Sequence, residues 1–179
     1  MKKIIAFTGS NNSQSIHHIL IQTLAAKANQ TQVSTIDLND FDLPMYGIDV
    51  ETQGIPEDAR RLRATLNEFD ALIIASPEHN GSMPAFLKNA IDWLSRVAPQ
   101  GGSFFGDEKK PVLLVSTSPG ANGGATNLKT MAELMPWWGG DVKGTFSLGS
   151  FYDKFQNGQF DATTNAELES LMADFERTL

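Results

Sequence analysis

Three short polar segments hold the residues of this chain that could do chemistry. They are Thr8-Gly9-Ser10-Asn11-Asn12-Ser13-Gln14-Ser15, Pro77-Glu78-His79-Asn80-Gly81-Ser82 and Ser116–Gly124. The first combines small hydroxyl and carboxamide side chains with backbone amides just ahead of a helical pattern. Such a helix start can surround a phosphate, helped by the positive end of the helix dipole. Read alone, it is equally an ordinary capped turn. The second segment offers further amides, a carboxamide at Asn80 that both donates and accepts, and Gly81, which permits close backbone approach or positive φ. The third, rich in glycine, could flank the other side of one shared ligand.

Other chemistries find no support in these residues. The histidines, His17, His18 and His79, lack the spacings of a metal site. No G-x-S-x-G elbow marks a hydrolase nucleophile. Neither G-x-x-x-x-G-K-[ST] nor G-x-G-x-x-G is present, which sets aside nucleoside-triphosphate loops and Rossmann dinucleotide sites. Thr8 and Gly9 stand where a phosphoacceptor receiver domain needs acidic residues. Glu78 has no second carboxylate beside it and is read as structural, contacting a neighbouring subunit.

Strands must bring the three loops together. Apolar runs at Ile4–Thr8, Val33–Leu38, Ala71–Ser76, Val112–Thr117 and Asp141–Leu148 read as strands. Helical spacing of apolar residues appears at 13–29, 56–68, 84–96, 125–135 and 165–177. Pro56 suits the opening of a helix, where its missing N–H costs little. Segment 41–56, with Pro44, Gly47, Gly54 and Pro56, reads as an irregular surface excursion. Trp137-Trp138 reads first as the packed end of a helix. Strands alternating with helices call for a doubly wound α/β domain, a parallel sheet with helices on both faces and right-handed crossovers. With no internal repeat or boundary, residues 1–179 are expected to form a single domain.

Composition narrows the partners. A net charge of −7 argues against nucleic acid and weakly against anionic membranes. The absence of cysteine removes disulfides, thiol catalysis and Cys-ligated metals. The apolar run after Lys2-Lys3 is too short for a secretory leader and is cut by Gly9-Ser10-Asn11-Asn12. No stretch approaches the roughly 20 apolar residues of a spanning helix. A cytoplasmic location is expected.

The segment Pro77–Arg96 is the most specific signal. Its turn and following helix closely resemble the NADPH-dependent FMN reductases, a flavodoxin-like family that includes quinone, chromate and azo-dye reductases. The resemblance runs from Ile4 to about Leu148. It implies a five-stranded sheet in the order 2-1-3-4-5, with the ligand at the switch point between strands one and three. It also implies FMN held by Ser10, Asn12, Ser15, Ile16 and His17 around the phosphate, His17 supplying a further donor. Pro77, Glu78, His79, Asn80 and Gly81 would lie along the isoalloxazine ring, and Ser118, Pro119 and Gly120 at its other edge. Two positions depart from the family pattern: Asn12 replaces an arginine, so the phosphate loop has no cation, and His79 replaces the commoner tyrosine.

The function so implied is an NADH- or NADPH-dependent FMN oxidoreductase that reduces a flavin, quinone, azo compound or similar small acceptor. The bound flavin carries the redox chemistry, so no catalytic side chain is assigned. The resemblance further implies a homodimer or homotetramer, with helix 84–96 and segment 41–55 as candidate contact surfaces. Two alternatives are a flavodoxin-type FMN electron carrier without NAD(P)H activity and a flavin-free binding or scaffold protein.

Overall fold

Buried apolar runs build the sheet. In the computed structural model, which describes all 179 residues, β1 (Lys3–Thr8), β2 (Gln32–Thr35), β3 (Ala71–Ala75), β4 (Lys110–Thr117) and β5 (Gly140–Leu148) pair in parallel. Their order is β2-β1-β3-β4-β5. All five residues of β3 are buried, as a central parallel strand covered on both faces requires. The edge strand β5 instead has alternating exposure along its middle.

Alternation along the strands divides the core in two. On one face, Ile5, Phe7, Leu72, Ile74, Val112 and Leu114 pack beneath α3 (Glu57–Asn67), α4 (Ala85–Val97) and α5 (Ala125–Trp138). On the other, Ile4, Ala6, Ile73, Leu113 and Val115 meet α1 (Ile16–Ala25) and α7 (Ala162–Glu176). Each fully buried Leu or Ile contributes roughly 1.5–3 kcal/mol, so these two layers outweigh any surface ion pair, such as Lys88–Asp92 at 2.6 Å.

Several boundaries differ from the sequence reading for identifiable reasons. Helix α1 opens at Ile16 rather than Ser13, because the Ser15 hydroxyl caps it by accepting the His17 amide. Strand β2 stops at Thr35, and Leu38–Asp40 forms a 3₁₀ turn capped by Asp37. The excursion 41–56 contains a one-turn helix, α2 (Ile48–Glu51), and is anchored to α4. There Trp93 Nε1 donates to the Pro44 carbonyl at 2.6 Å, and the Asn89 carboxamide donates to the Leu43 and Pro44 carbonyls. Helix α5 continues through Pro136 to Trp138 and stops at Gly139, whose φ of 89° gives a left-handed end. Trp138 is buried, whereas Trp137 is exposed.

After β5 the chain forms a short helix, α6 (Phe151–Lys154), and a hairpin of β6 (Phe155–Gln156) and β7 (Gln159–Phe160). Asn157 and Gly158, both at positive φ, turn the hairpin. Phe151 stacks there on Phe155, and Phe160 meets both rings edge-to-face. No helix is long and apolar enough to cross a membrane.

Candidate functional site

The parallel sheet gathers the first two segments at the carboxyl ends of β1 and β3, with the third beside them at the end of β4. The reversal of strand order lies between β1 and β3, where open α/β sheets hold ligands. The Gly9 amide donates to the Ala75 carbonyl at 2.8 Å, so the first loop leaves the sheet still tied to β3.

The first loop is folded by its own side chains. Ser10 Oγ accepts the Asn12 amide, Asn12 Oδ1 accepts the Gln14 amide, and the Ser10 amide donates to Thr8 Oγ1. This leaves the amides of Asn11, Ser13 and Ile16 with no acceptor in the chain. Ser10 and Ser15 are buried, Ile16 is half-buried, and Asn12 is exposed.

His17 is a buried brace between two loops. Its ring is 4% exposed. Nε2 accepts the Thr117 amide at 3.3 Å, which assigns the proton to Nδ1, 3.4 Å from Ser15 Oγ. Both ring nitrogens therefore face inward, linking the first loop to the third. Burial, with smaller repulsions from His18 and His79, lowers the imidazole pKa to about 4, so it is neutral at physiological pH.

In the second loop, His79 and Ser82 exchange backbone hydrogen bonds of 2.8 and 3.1 Å around Asn80 and Gly81. The two central residues have φ of 53° and 79°, the signature of an Asn-Gly hairpin turn. The amides of Glu78, Asn80 and Gly81 have no acceptor in the chain. Pro77 is buried, Glu78 half-buried, and His79, Asn80 and Gly81 are exposed.

The Glu78 carboxylate turns to the third loop. Oε2 accepts the Asn127 amide at 3.0 Å, and the Asn122 carboxamide lies 3.3 and 3.4 Å from its two oxygens. Helix α5 opens at Gly124, which has no capping side chain. Glu78 supplies that cap from a different loop and sets a negative charge against the helix N-terminus. Asn127 answers: its fully buried Nδ2 donates to Ser76 Oγ at 2.8 Å and to the Pro77 carbonyl at 3.0 Å. Below them, Ser116 Oγ donates to the Ser76 carbonyl at 2.7 Å. Sequence reasoning placed Ser116 in the third segment but did not single out Asn127 or Ser76, because nothing in their spacing announces that the three meet.

The third loop is closed by Ser118, whose Oγ donates to the Gly120 carbonyl and accepts the Gly123 amide. Gly123 and Gly124 have φ of 60° and 79°. Ser118 is half-buried; Pro119 and Gly120 are exposed, and the Gly120 amide is unpaired. The result is a hydrogen-bonded base beneath unpaired backbone amides contributed by three loops. No group of His, Asp or Glu side chains could hold a metal ion.

Sheet order and loop placement define a flavodoxin-like α/β protein with a candidate cofactor edge at its switch point. The chain belongs to the NADPH-dependent FMN reductase family, whose model matches residues 2–153. It is 48% identical over 83 residues to a quinone reductase of Pseudomonas putida, covering 46% of this chain and 42% of that protein. It is 38% identical over 124 residues to a 2-hydroxy-1,4-benzoquinone reductase of a Burkholderia species, covering 69% and 64%. The chain thus aligns with less than two thirds of the length of either enzyme. Among solved structures, the flavoenzyme NAD(P)H:(acceptor) oxidoreductase FerB of Paracoccus denitrificans superposes with a TM-score of 0.78 at 25% identity. That match covers 98% of this chain and 95% of FerB.

Proposed function

We propose that this protein is an FMN-dependent oxidoreductase that uses NADH or NADPH to reduce a small acceptor of the quinone, flavin or azo class. The observation that carries the reading is the set of unpaired amides from three loops at one switch point, above a hydrogen-bonded base. The donor set fits FMN. The amides of Asn11, Ser13 and Ile16, at the start of α1, suit a phosphate. Those of Glu78, Asn80 and Gly81 suit the oxygen and nitrogen edge of a flavin ring, with Ser118, Pro119 and Gly120 opposite. When bound, FMN would supply the two-electron relay between nicotinamide and acceptor. The chain's own residues bind and orient; none is placed to move a proton.

The names of the related quinone reductases support the acceptor class. The proposed assembly is a homodimer or homotetramer, with α4 and segment 41–55 as contact surfaces. In that segment Met45 and Ile48 are 68% and 73% exposed. Light scattering at micromolar concentration reads the assembly directly, and a monomeric mass would remove it.

The deciding experiment is an FMN titration of flavin-stripped protein, followed by NADH and NADPH oxidation with a quinone. Saturable binding at micromolar concentration or tighter, with FMN-dependent turnover, is the expected result. Tight FMN binding without nicotinamide oxidation would fit an electron carrier instead. No saturable binding would overturn the flavoprotein reading.

A further inference from the structure

The dipeptide Asn-Gly occurs at Asn80-Gly81, Asn122-Gly123 and Asn157-Gly158. It is chemically distinctive as well as suited to turns. Glycine has no Cβ to shield its amide nitrogen, and that nitrogen is one ring closure away from the carboxamide carbon of the preceding asparagine. The three pairs differ in how far the fold blocks this closure. Asn122-Gly123 is held at both ends: the buried Gly123 donates its amide to Ser118 Oγ at 3.0 Å, and the Asn122 carboxamide lies against Glu78. A Cβ added at Gly123 would come within 2.7 Å of the Gly149 nitrogen and closer still to Ser147 Oγ, so the surroundings leave no room for a ring.

Asn80-Gly81 and Asn157-Gly158 are open. Each pair forms the tip of a hairpin turn, with both residues at positive φ and exposed. Neither glycine amide has an acceptor in the chain, and a Cβ at either glycine would meet nothing within 4 Å. The two turns share sequence and conformation but not location. Asn80-Gly81 lies in the candidate site, whereas Asn157-Gly158 belongs to the β6–β7 hairpin.

We propose that Asn80-Gly81 is a self-modification site: in the cofactor-free protein Asn80 converts through a cyclic imide to aspartate and isoaspartate, and bound flavin suppresses the conversion. The protection by flavin rests on the flavoenzyme reading above; the conversion itself does not. Hydroxide removes the Gly81 amide proton, the nitrogen bonds to Asn80 Cγ, and the Cγ–Nδ2 bond breaks as ammonia leaves with a proton from water. Water then opens the imide. Cleavage at Cγ restores the ordinary peptide with an aspartate side chain; cleavage at the main-chain carbonyl leaves isoaspartate. One water is consumed, one ammonia is released and no electrons move. Both products place a negative charge at the turn tip. Isoaspartate also inserts a methylene into the main chain between His79 and Ser82, whose mutual hydrogen bonds of 2.8 and 3.1 Å fix the ends of the turn. The amides of Asn80 and Gly81 then leave the positions that suit a flavin edge. In the loaded protein the Gly81 amide donates to the flavin, and ring closure would first have to break that bond.

The test incubates flavin-stripped wild-type protein in warm, mildly alkaline buffer, with and without FMN. Peptide mass spectrometry follows amide-to-acid conversion at each asparagine, and isoaspartyl-specific methylation marks the isomer. Without FMN, Asn80 and Asn157 should convert while Asn122 stays intact. With free FMN about tenfold above its Kd, about a tenth of the sites are empty, so conversion of Asn80 should slow about tenfold. Asn157, the internal control, should not slow at all. FMN-binding capacity of the flavin-free sample should fall in step with Asn80 conversion. Asn80→Asp should weaken FMN binding severalfold, and Asn157→Asp should leave it unchanged. Conversion of Asn80 no faster than that of Asn122 in the flavin-free protein would overturn the inference. Equal rates at Asn80 with and without bound FMN would overturn the protection and leave the flavoenzyme reading standing. If FMN does not bind, that reading falls together with the protection, and the rates in flavin-free protein still decide the modification.

Discussion

Glu78 and Asn127 tie the second loop to the first turn of α5. The Glu78 carboxylate accepts the Asn127 backbone amide at 3.0 Å, and the Asn127 carboxamide donates to the carbonyl of Pro77, the residue before Glu78, at 3.0 Å. Each side chain thus fixes the main chain of the other's segment. The wall that carries the Asn80-Gly81 turn and the wall that starts α5 are held as one unit.

Substituting Glu78 therefore tests a cap. Glu78→Ala should cost roughly 1–2 kcal/mol, the loss of a helix cap with a charged acceptor. Glu78→Gln keeps an oxygen that can accept the Asn127 amide and should recover at least half of that loss. Denaturant unfolding of the three proteins measures both values. If Gln and Ala are equally damaging, the charge matters and the capping geometry does not.

His17 makes acid stability a readout of the brace. Its folded pKa of about 4 lies below the ordinary 6.5, so the folded state binds fewer protons between these values. The sign follows: stability is fully present above pH 6.5 and is lost as pH falls towards 4. At 1.36 kcal/mol per pKa unit the loss is about 3 kcal/mol. His17→Asn, which cannot titrate, should flatten the pH dependence of unfolding free energy in that window. An unchanged slope would show that other groups carry it.

Two glycines with the same φ of 79° should respond differently. A Cβ at Gly124 would lie 2.8 Å from Ser116 Cβ and closer still to its hydroxyl, whereas one at Gly81 meets nothing within 4 Å. Gly81→Ala should cost only the left-handed backbone penalty, about 1 kcal/mol. Gly124→Ala adds a clash within the buried serine pair and should cost at least about 2 kcal/mol. Chemical denaturation ranks them, and the reverse order would contradict the packing described.

Glu176 offers a control remote from the site. Its buried Oε1 accepts the amides of Asn29, Gln30 and Thr31 at 2.9–3.1 Å and the Thr31 hydroxyl at 2.7 Å, pinning α7 to the turn before β2. Glu176→Ala should destabilise by about 3 kcal/mol yet leave FMN affinity unchanged under conditions where the protein stays folded. Isothermal titration beside a melting curve separates the two effects.

The central strands were legible because burial on both faces leaves continuous apolar runs, as in Ala71–Ala75 and Val112–Val115. Helix starts were legible only where the cap was recognised. Asp161 caps α7 by accepting the Thr164 amide, so the helix opens at Ala162, three residues ahead of the expected start at Asn165. The hairpin after β5 announced itself in Phe-Gln-Asn-Gly-Gln-Phe and went unread, although Asn80-Gly81 forms the same kind of turn in the site. The three loops could be read from their amides and glycines. The buried Ser76–Asn127 contact could not, because the two residues are 51 positions apart and meet only once β3 and α5 have packed.

Gly9 sits against α4: a Cβ there would come within 2.7 Å of Leu87 Cδ2 and 2.9 Å of its Cβ. Leu87 is buried and Gly9 lies at ordinary negative φ, so the glycine serves clearance, not a special backbone conformation. The loop after β1 and the helix after β3 consequently share one wall. This makes segment 8–15 a poor cassette for transplantation. Grafted onto another sheet without a matching helix surface, it would lose the steric stop that sets its exit path. Redesign of the proposed cofactor loop therefore has to carry Leu87 and its neighbours along as part of the same inherited block.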